Sequence, residues 1–390
     1  MRIIINKDYY LSFVLLFQML VVIIQQLLPL LGLSTIEQAA TFRVYSTIAT
    51  YLPAAVIIMR RNFSLLIFPF VVYGVVALFN YAFFPDSHAF LESRQAVTLT
   101  PIAIMTAIIV ITIRCFDYFF KVLLWASRVS ILLAIVYIWA TKLLPVSVES
   151  YKYSMSFGYS LLLPALFLFR QTDITDKILG FVLFLLIILD GSRGPVVVIA
   201  SYYVIHLIWF TKSSVLWKQI VATVLVGLLA YGGLGDVLSI QSSRTVWLYQ
   251  RGEFLSHNSG RDIITTKAIA KIREHPVTGW GIGADRKFIK GYAHNLFLEL
   301  AIHYGIVVTA FLIIGFIILV VSCFMNQIFI VHQGGRAMLT IMLLYGVVPL
   351  MVSNSYLISY SFALLMGYLL RIRYSPNMRF LSKVQLLKKK

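Results

Sequence analysis

Apolar residues along this chain come in long unbroken runs separated by short polar breaks. Each run is about the 20 residues that a helix needs to cross a bilayer core. Backbone in lipid must satisfy its own hydrogen bonds, so the runs are helices or barrel strands. Polar and apolar positions do not alternate, which argues against a barrel. The pattern predicts an all-α integral membrane protein with about 12 transmembrane helices, at 9–30, 39–59, 63–84, 96–113, 119–141, 153–170, 178–190, 194–211, 219–235, 295–322, 337–353 and 355–370. Only Ser353-Asn354-Ser355 separates the last two, and only Asp190-Gly191-Ser192-Arg193-Gly194-Pro195 the seventh and eighth. The first run follows Arg2 and Lys7, exceeds a signal-peptide core and lacks a small-x-small cleavage site, so it reads as an uncleaved span.

Composition fits this pattern. Of 390 residues, 12% are charged and 60% hydrophobic, where soluble domains carry roughly 25% charged residues. Mean hydropathy is +0.88. The net charge of +18 raises the question of nucleic acid. The charges lie between spans and not on one basic domain, so no nucleic-acid partner is expected. Topology accounts for them better. With the N-terminus inside, 18 basic residues fall in cytoplasmic segments and 4 (Arg94, Lys142, Lys152 and Arg193) in short outer ones. The positive-inside rule then puts both termini in the cytoplasm. The tail Leu386-Leu387-Lys388-Lys389-Lys390 faces anionic membrane lipid. Cys115 and Cys323 fall at span ends on the cytoplasmic side, so no disulfide framework is implied.

Three segments follow. Residues 1–235 hold the first nine spans, 236–292 form one large outer loop, and 293–390 hold the last three spans and a basic cytoplasmic tail. The loop carries nine basic and five acidic residues. Within it, Ser259-Gly260-Arg261-Asp262 resembles a capping box, with Asp in the Glu position. Ile264, Ala268 and Ile272 recur at helical spacing, and Pro276 ends the run. These signals predict a short amphipathic helix over 260–274, on the membrane surface or over a cavity mouth. Its first turn offers free N–H groups to an anion, and Arg261 adds charge there. The plain alternative is a solvated arginine on a basic loop.

Chemistry concentrates at the exit of this loop. His294 and Asn295 stand at the loop–membrane boundary. A histidine there can act as a base near neutral pH. Asn295 and Glu299 are four apart, so they can hydrogen-bond on one helix face. Glu299 lies one turn inside a span, where an ionisable group is costly and suggests function. Arg193 sits in a tight turn at an outer end; its planar guanidinium suits phosphate or pyrophosphate, or alternatively snorkels as an interface anchor. Arg43 and Arg128 fall within the second and fifth spans and should face the bundle interior or a water-filled cavity. His257, His275 and His303 show no metal-ligand spacing with a carboxylate, so no metal is expected.

Three elements together carry a resemblance: Gly191-Ser192-Arg193-Gly194, Ser259-Gly260-Arg261 at a helix start, and His294-Asn295-x-x-Leu298-Glu299 followed by Gly305. Over about residues 180–310 the chain resembles the O-antigen ligase and O-antigen polymerase superfamily of bacterial envelope glycan enzymes. The resemblance implies a GT-C-like integral membrane glycosyltransferase of the bacterial inner membrane, with its site facing the periplasm. It implies an undecaprenyl-pyrophosphate-linked oligosaccharide as donor and neither a cofactor nor a metal. Arg193 and Arg261 would hold the pyrophosphate and His294 would be the base, with Asn295, Glu299, Arg128 and Arg43 supporting. Many ligase-type members carry a second histidine two residues before the His-Asn pair; here that position is Tyr292. The run Ala293-His294-Asn295-Leu296-Phe297-Leu298-Glu299-Leu300 looks closer to the polymerases. A polymerase of O-antigen, capsule or exopolysaccharide repeat units is therefore preferred to a ligase onto lipid A–core. Such a polymerase is expected to work beside a chain-length regulator and a flippase. A lipid-linked oligosaccharide flippase is the reading from another class, but transporters usually show repeated halves, and this chain shows none.

Overall fold

A computed structural model describes residues 6–143, 155–210, 261–326 and 333–374. Among these residues every regular element is a helix. In chain order they are α1 (Lys7–Leu30), α2 (Ile36–Arg61), α3 (Phe63–Phe83), the short α4 (His88–Leu91), α5 (Thr100–Thr112), α6 (Phe116–Leu143), α7 (Met155–Arg170), α8 (Ile174–Asp190), α9 (Arg193–Phe210), α10 (Arg261–Glu274), the short α11 (Asp285–Ile289), α12 (Leu296–Phe324), α13 (Gln333–Val352) and α14 (Tyr360–Tyr374). Among the described residues seven helical segments are long and apolar enough to cross a membrane: α1, α2, α3, Gln95–Thr112, Phe116–Thr141, α12 and Gly335–Val352. The chain is a multi-pass helical membrane protein. The expected span 219–235 and the loop residues 236–260 lie outside the described residues.

Two compact units divide the chain. The first comprises residues 1–15, 48–122 and 258–390, and the second 16–47 and 123–257. In the second, α7 packs against both α8 and α9. The α8–α9 turn is as tight as its sequence predicts. Gly191 closes α8 in the left-handed region at φ 93°, and Ser192 Oγ donates to Asp190 Oδ2 at 2.6 Å. Gly158 and Gly194 let this turn sit on α7, because a Cβ at either would meet Ser192 or Tyr159.

In the first unit α14 packs on α5 and α13, and α10 packs on α12. Arg61 ties three helices at one end. Its guanidinium pairs with Asp8 and donates to the Thr112 carbonyl, and Asp8 accepts from the Cys115 N–H. A helix covers the expected stretch as α10, described from Arg261 to Glu274; the expected cap residues Ser259 and Gly260 lie outside the described residues. Its apolar face, Ala268 and Ile272, is covered by protein: Ala284, Ala293, Ala301 and Ile302 pack against it. Several expected ends move by three or four residues. The twelfth expected span moves furthest: as α14 it starts at Tyr360 and not at 355, because residues 353–359 fold over polar groups of α12 and α11.

Candidate active site at the loop exit

The scaffold of the site is a glycine ribbon pinned to a broken helix. Residues 275–284 carry Gly279, Gly281 and Gly283, all at positive φ (66°, 91° and 73°). A Cβ on Gly281 would strike Phe84, and one on Gly283 would strike Phe90. Such close approach at positive φ requires glycine. The ribbon needs hydrogen-bond acceptors, and α12 supplies them by kinking at Gly305 (φ 77°, ψ 170°). The freed carbonyls of Ile302 and His303 accept from Trp280 N–H at 2.8 Å and Gly281 N–H at 3.1 Å. Ile306 N–H in turn donates to the Pro276 carbonyl at 2.7 Å. Buried Asn80 of α3 accepts from Ile282 N–H at 2.8 Å.

This scaffold delivers Asp285 and Arg286 onto the face of α12 that carries Glu299 and His303. Asp285 and Glu299 are 0% exposed and His303 1%. Arg286 Nη1 donates to Asp285 Oδ1 at 2.6 Å and to Glu299 Oε1 at 2.9 Å. Its Nη2 donates to Ser355 Oγ at 2.7 Å, and Ser355 Oγ donates to Glu299. His303 Nε2 bonds Asp285 Oδ1 at 2.9 Å, and its Nδ1 bonds the Tyr356 hydroxyl, which reaches on to Tyr304. Burial alone would raise the Asp285 carboxyl, but His303 and Arg286 hold it below the usual carboxylate range. Burial opposes the charge on Arg286, and Asp285 with Glu299 overcomes it and raises that group. Burial pushes the Tyr356 hydroxyl up. Two atoms of the network, Arg286 Nε and Glu299 Oε2, are buried without a hydrogen-bond partner.

Asp285, Glu299 and His303 each offer a ligand atom, and the three atoms lie within 4.8 Å of one another. They are the one set among the described residues that could hold a metal ion. The guanidinium already bonds both carboxylates, so a divalent cation would have to enter beside a fixed positive charge. An arginine-centred ion network fits this geometry better than a metal centre.

His294 follows Ala293, whose N–H donates to Asp285 Oδ2 of the network at 3.3 Å. Its backbone is left-handed (φ 52°), unusual for a residue with a side chain. Its ring lies 4.5 Å from that of Tyr292, and Nδ1 is buried without a partner. Burial lowers its pKa from 6.5, the Arg261 charge lowers it further, and Asp285 acts the other way. The imidazole is thus neutral at pH 7, as a base must be. Arg261 and His294, 33 positions apart in sequence, are therefore electrostatic neighbours.

Of the remaining expected residues, Asn295 follows His294, and Arg43, Arg128 and Arg193 belong to the second unit. Asn295 makes no side-chain bond to Glu299. It caps α12, accepting from Phe297 N–H at 2.9 Å and Leu298 N–H at 3.3 Å, because an Asn before a first turn finds the free N–H groups sooner. Arg128 forms an ion pair with Asp176 within its unit. Its Nε and Nη2 both donate to Asp176 Oδ1, at 3.0 and 2.9 Å, and its side chain is 51% exposed. Arg43 donates to Gln25 at 3.4 Å in the same unit. Arg193 opens α9, also in the second unit. Sequence reading missed Asp285, Arg286, Ser355 and Tyr356, and undervalued His303. A signal was available: Gly279-x-Gly281-x-Gly283 directly before an acid–arginine pair.

Asp285, Arg286, Glu299 and His303 form a buried ion network in a helical membrane protein, and His294 lies next to Ala293, which is bonded to that network. Residues 178–313, about a third of the chain, match the family model described as O-antigen ligase. The match supports the O-antigen ligase and polymerase superfamily and points to a glycan-transferring membrane enzyme. It spans Arg193, Arg261, Asp285, Arg286, His294, Glu299 and His303, and ends before Ser355 and Tyr356. No curated protein and no solved structure matches the chain.

Proposed function

We propose that this protein is a periplasm-facing glycosyltransferase of the bacterial inner membrane. It transfers an undecaprenyl-pyrophosphate-linked glycan to a sugar hydroxyl, and its preferred assignment is repeat-unit polymerase. The observation that carries this reading is His294: neutral, without a partner on Nδ1, close to the charge of Arg261, and set on a rigid polar network. In the reaction the acceptor oxygen attacks the anomeric carbon and the bond to pyrophosphate breaks. His294 takes the hydroxyl proton, and the leaving pyrophosphate keeps the electron pair. A lipid pyrophosphate needs its developing negative charge neutralised and its acceptor positioned. Arg261 is assigned the first task; Arg193 shares that assignment on the resemblance alone.

The ligase reading has one specific support, the description of the matching family. Tyr292 at the second-histidine position favours the polymerase. Deleting the gene and profiling surface and lipid-linked glycan separates the readings. Loss of the long-chain ladder, with single repeats still attached to core, supports polymerase. Complete polymer accumulating on the lipid carrier supports ligase. Single units trapped in the cytoplasmic leaflet mean a flippase and contradict the proposal.

A further inference from the structure

The unusual backbone at His294 asks what holds it there. A non-glycine residue in the left-handed region persists only where its surroundings over-determine it. Three anchors surround it. On its C-terminal side, Asn295 caps α12 through Phe297 N–H and Leu298 N–H. Two residues before it, the Tyr292 hydroxyl donates to the Ser353 carbonyl at 2.8 Å. Immediately before it, Ala293 N–H donates to Asp285 Oδ2 at 3.3 Å. Of the three acceptors, only Asp285 carries a charge. Its other oxygen is fixed by His303 and Arg286, so the carboxylate cannot turn away. The imidazole itself has no hydrogen bond on Nδ1; its direction is set through the backbone and the Tyr292 ring, unlike a histidine steered by a carboxylate on its own ring.

We propose that Asp285 is a positioning residue for His294: with His303 and Arg286 locking its carboxylate, it clamps the Ala293 N–H and so holds the turn that presents the imidazole. The proposal rests on the reading of His294 as base. It also gives the buried ion network a purpose beyond cohesion, since the network fixes the atom that fixes the turn. The charged groups felt by His294 are Arg261, from α10, and Asp285, from α11.

The test uses the full chain in lipid nanodiscs. Its substrate is undecaprenyl-pyrophosphate-linked oligosaccharide extracted from cells lacking the gene. Asp285→Asn should lower kcat by about ten-fold or more with KM within about two-fold, because small misplacement of a base costs chemistry and not ground-state binding. The acid limb of its kcat profile should move to lower pH, since a negative charge that favours the imidazolium is gone. A merely structural loss would reduce the active fraction and leave the limb in place. Glu37→Gln, an exposed acid on α2, should leave both unchanged. If Asp285→Asn does not fold, His303→Asn keeps a group for Tyr356 and drops the bond to Asp285; it should lower kcat about three-fold or more at unchanged KM. Wild-type kcat and an unmoved limb in Asp285→Asn, or wild-type kcat in His303→Asn, would overturn the proposal. Loss of turnover in His294→Ala alongside either result would leave the base assignment standing. Normal turnover in His294→Ala would remove both.

Discussion

Arg286 is the residue on which the buried chemistry depends. Two carboxylates, Asp285 and Glu299, share its guanidinium away from water. Replacing it by alanine leaves Glu299 without its arginine and Asp285 with His303 alone, a loss on the order of 3–5 kcal/mol. A fall in the thermal midpoint of purified Arg286→Ala protein should report this; an unchanged midpoint would show that water compensates the acids. His294 sets a pH signature. On the proposed reading its neutral form is the active one; burial and the Arg261 charge lower its pKa from 6.5, so turnover should hold down to that pKa and fall below it. Arg261→Gln removes a charge that opposes protonation, so the acid limb should rise toward 6.5. A limb that stays put would separate Arg261 from the base. The sequence marked His294, Arg261 and Glu299 as unusual groups in an apolar chain. The glycine run before Asp285-Arg286 was the one signal for Arg286; that Arg286 meets Glu299 and Ser355, and His303 meets Asp285, appears only when the ribbon docks on α12.

At the scale of elements the decisive features are a kink and a ribbon. Gly305 breaks α12 just where Trp280, Gly281 and Ile306 need partners. Its φ of 77° disfavours any side chain, and a Cβ would meet the Val277 carbonyl. Gly305→Ala should therefore cost about 1–3 kcal/mol or more and release the ribbon, read as a sharp loss of monodisperse protein in detergent. Retention of full stability would mean the kink is not required. Periodicity located the end of α10 at Glu274 and its packed positions, because Ala268 and Ile272 do face its packing partners. It placed the start of α14 five residues early. Ser355 and Tyr356 look like helix in an apolar context, yet their hydroxyls are consumed by Arg286, Glu299 and His303, and local propensity does not register such distant partners.

For the whole molecule, hydropathy made the membrane class plain, because continuous apolar runs leave no other way to satisfy the backbone. It could not show that residues far apart in the chain, 90, 285, 299 and 355, gather in one unit around Arg286. The direct measurement is turnover of undecaprenyl-pyrophosphate-linked oligosaccharide by purified His294→Ala protein in nanodiscs, compared with wild type at equal folded concentration. The account predicts glycan transfer by the wild type and a loss of about 100-fold or more in the variant, the upper part of what a positioned acid–base group contributes. Wild-type turnover by His294→Ala would contradict it.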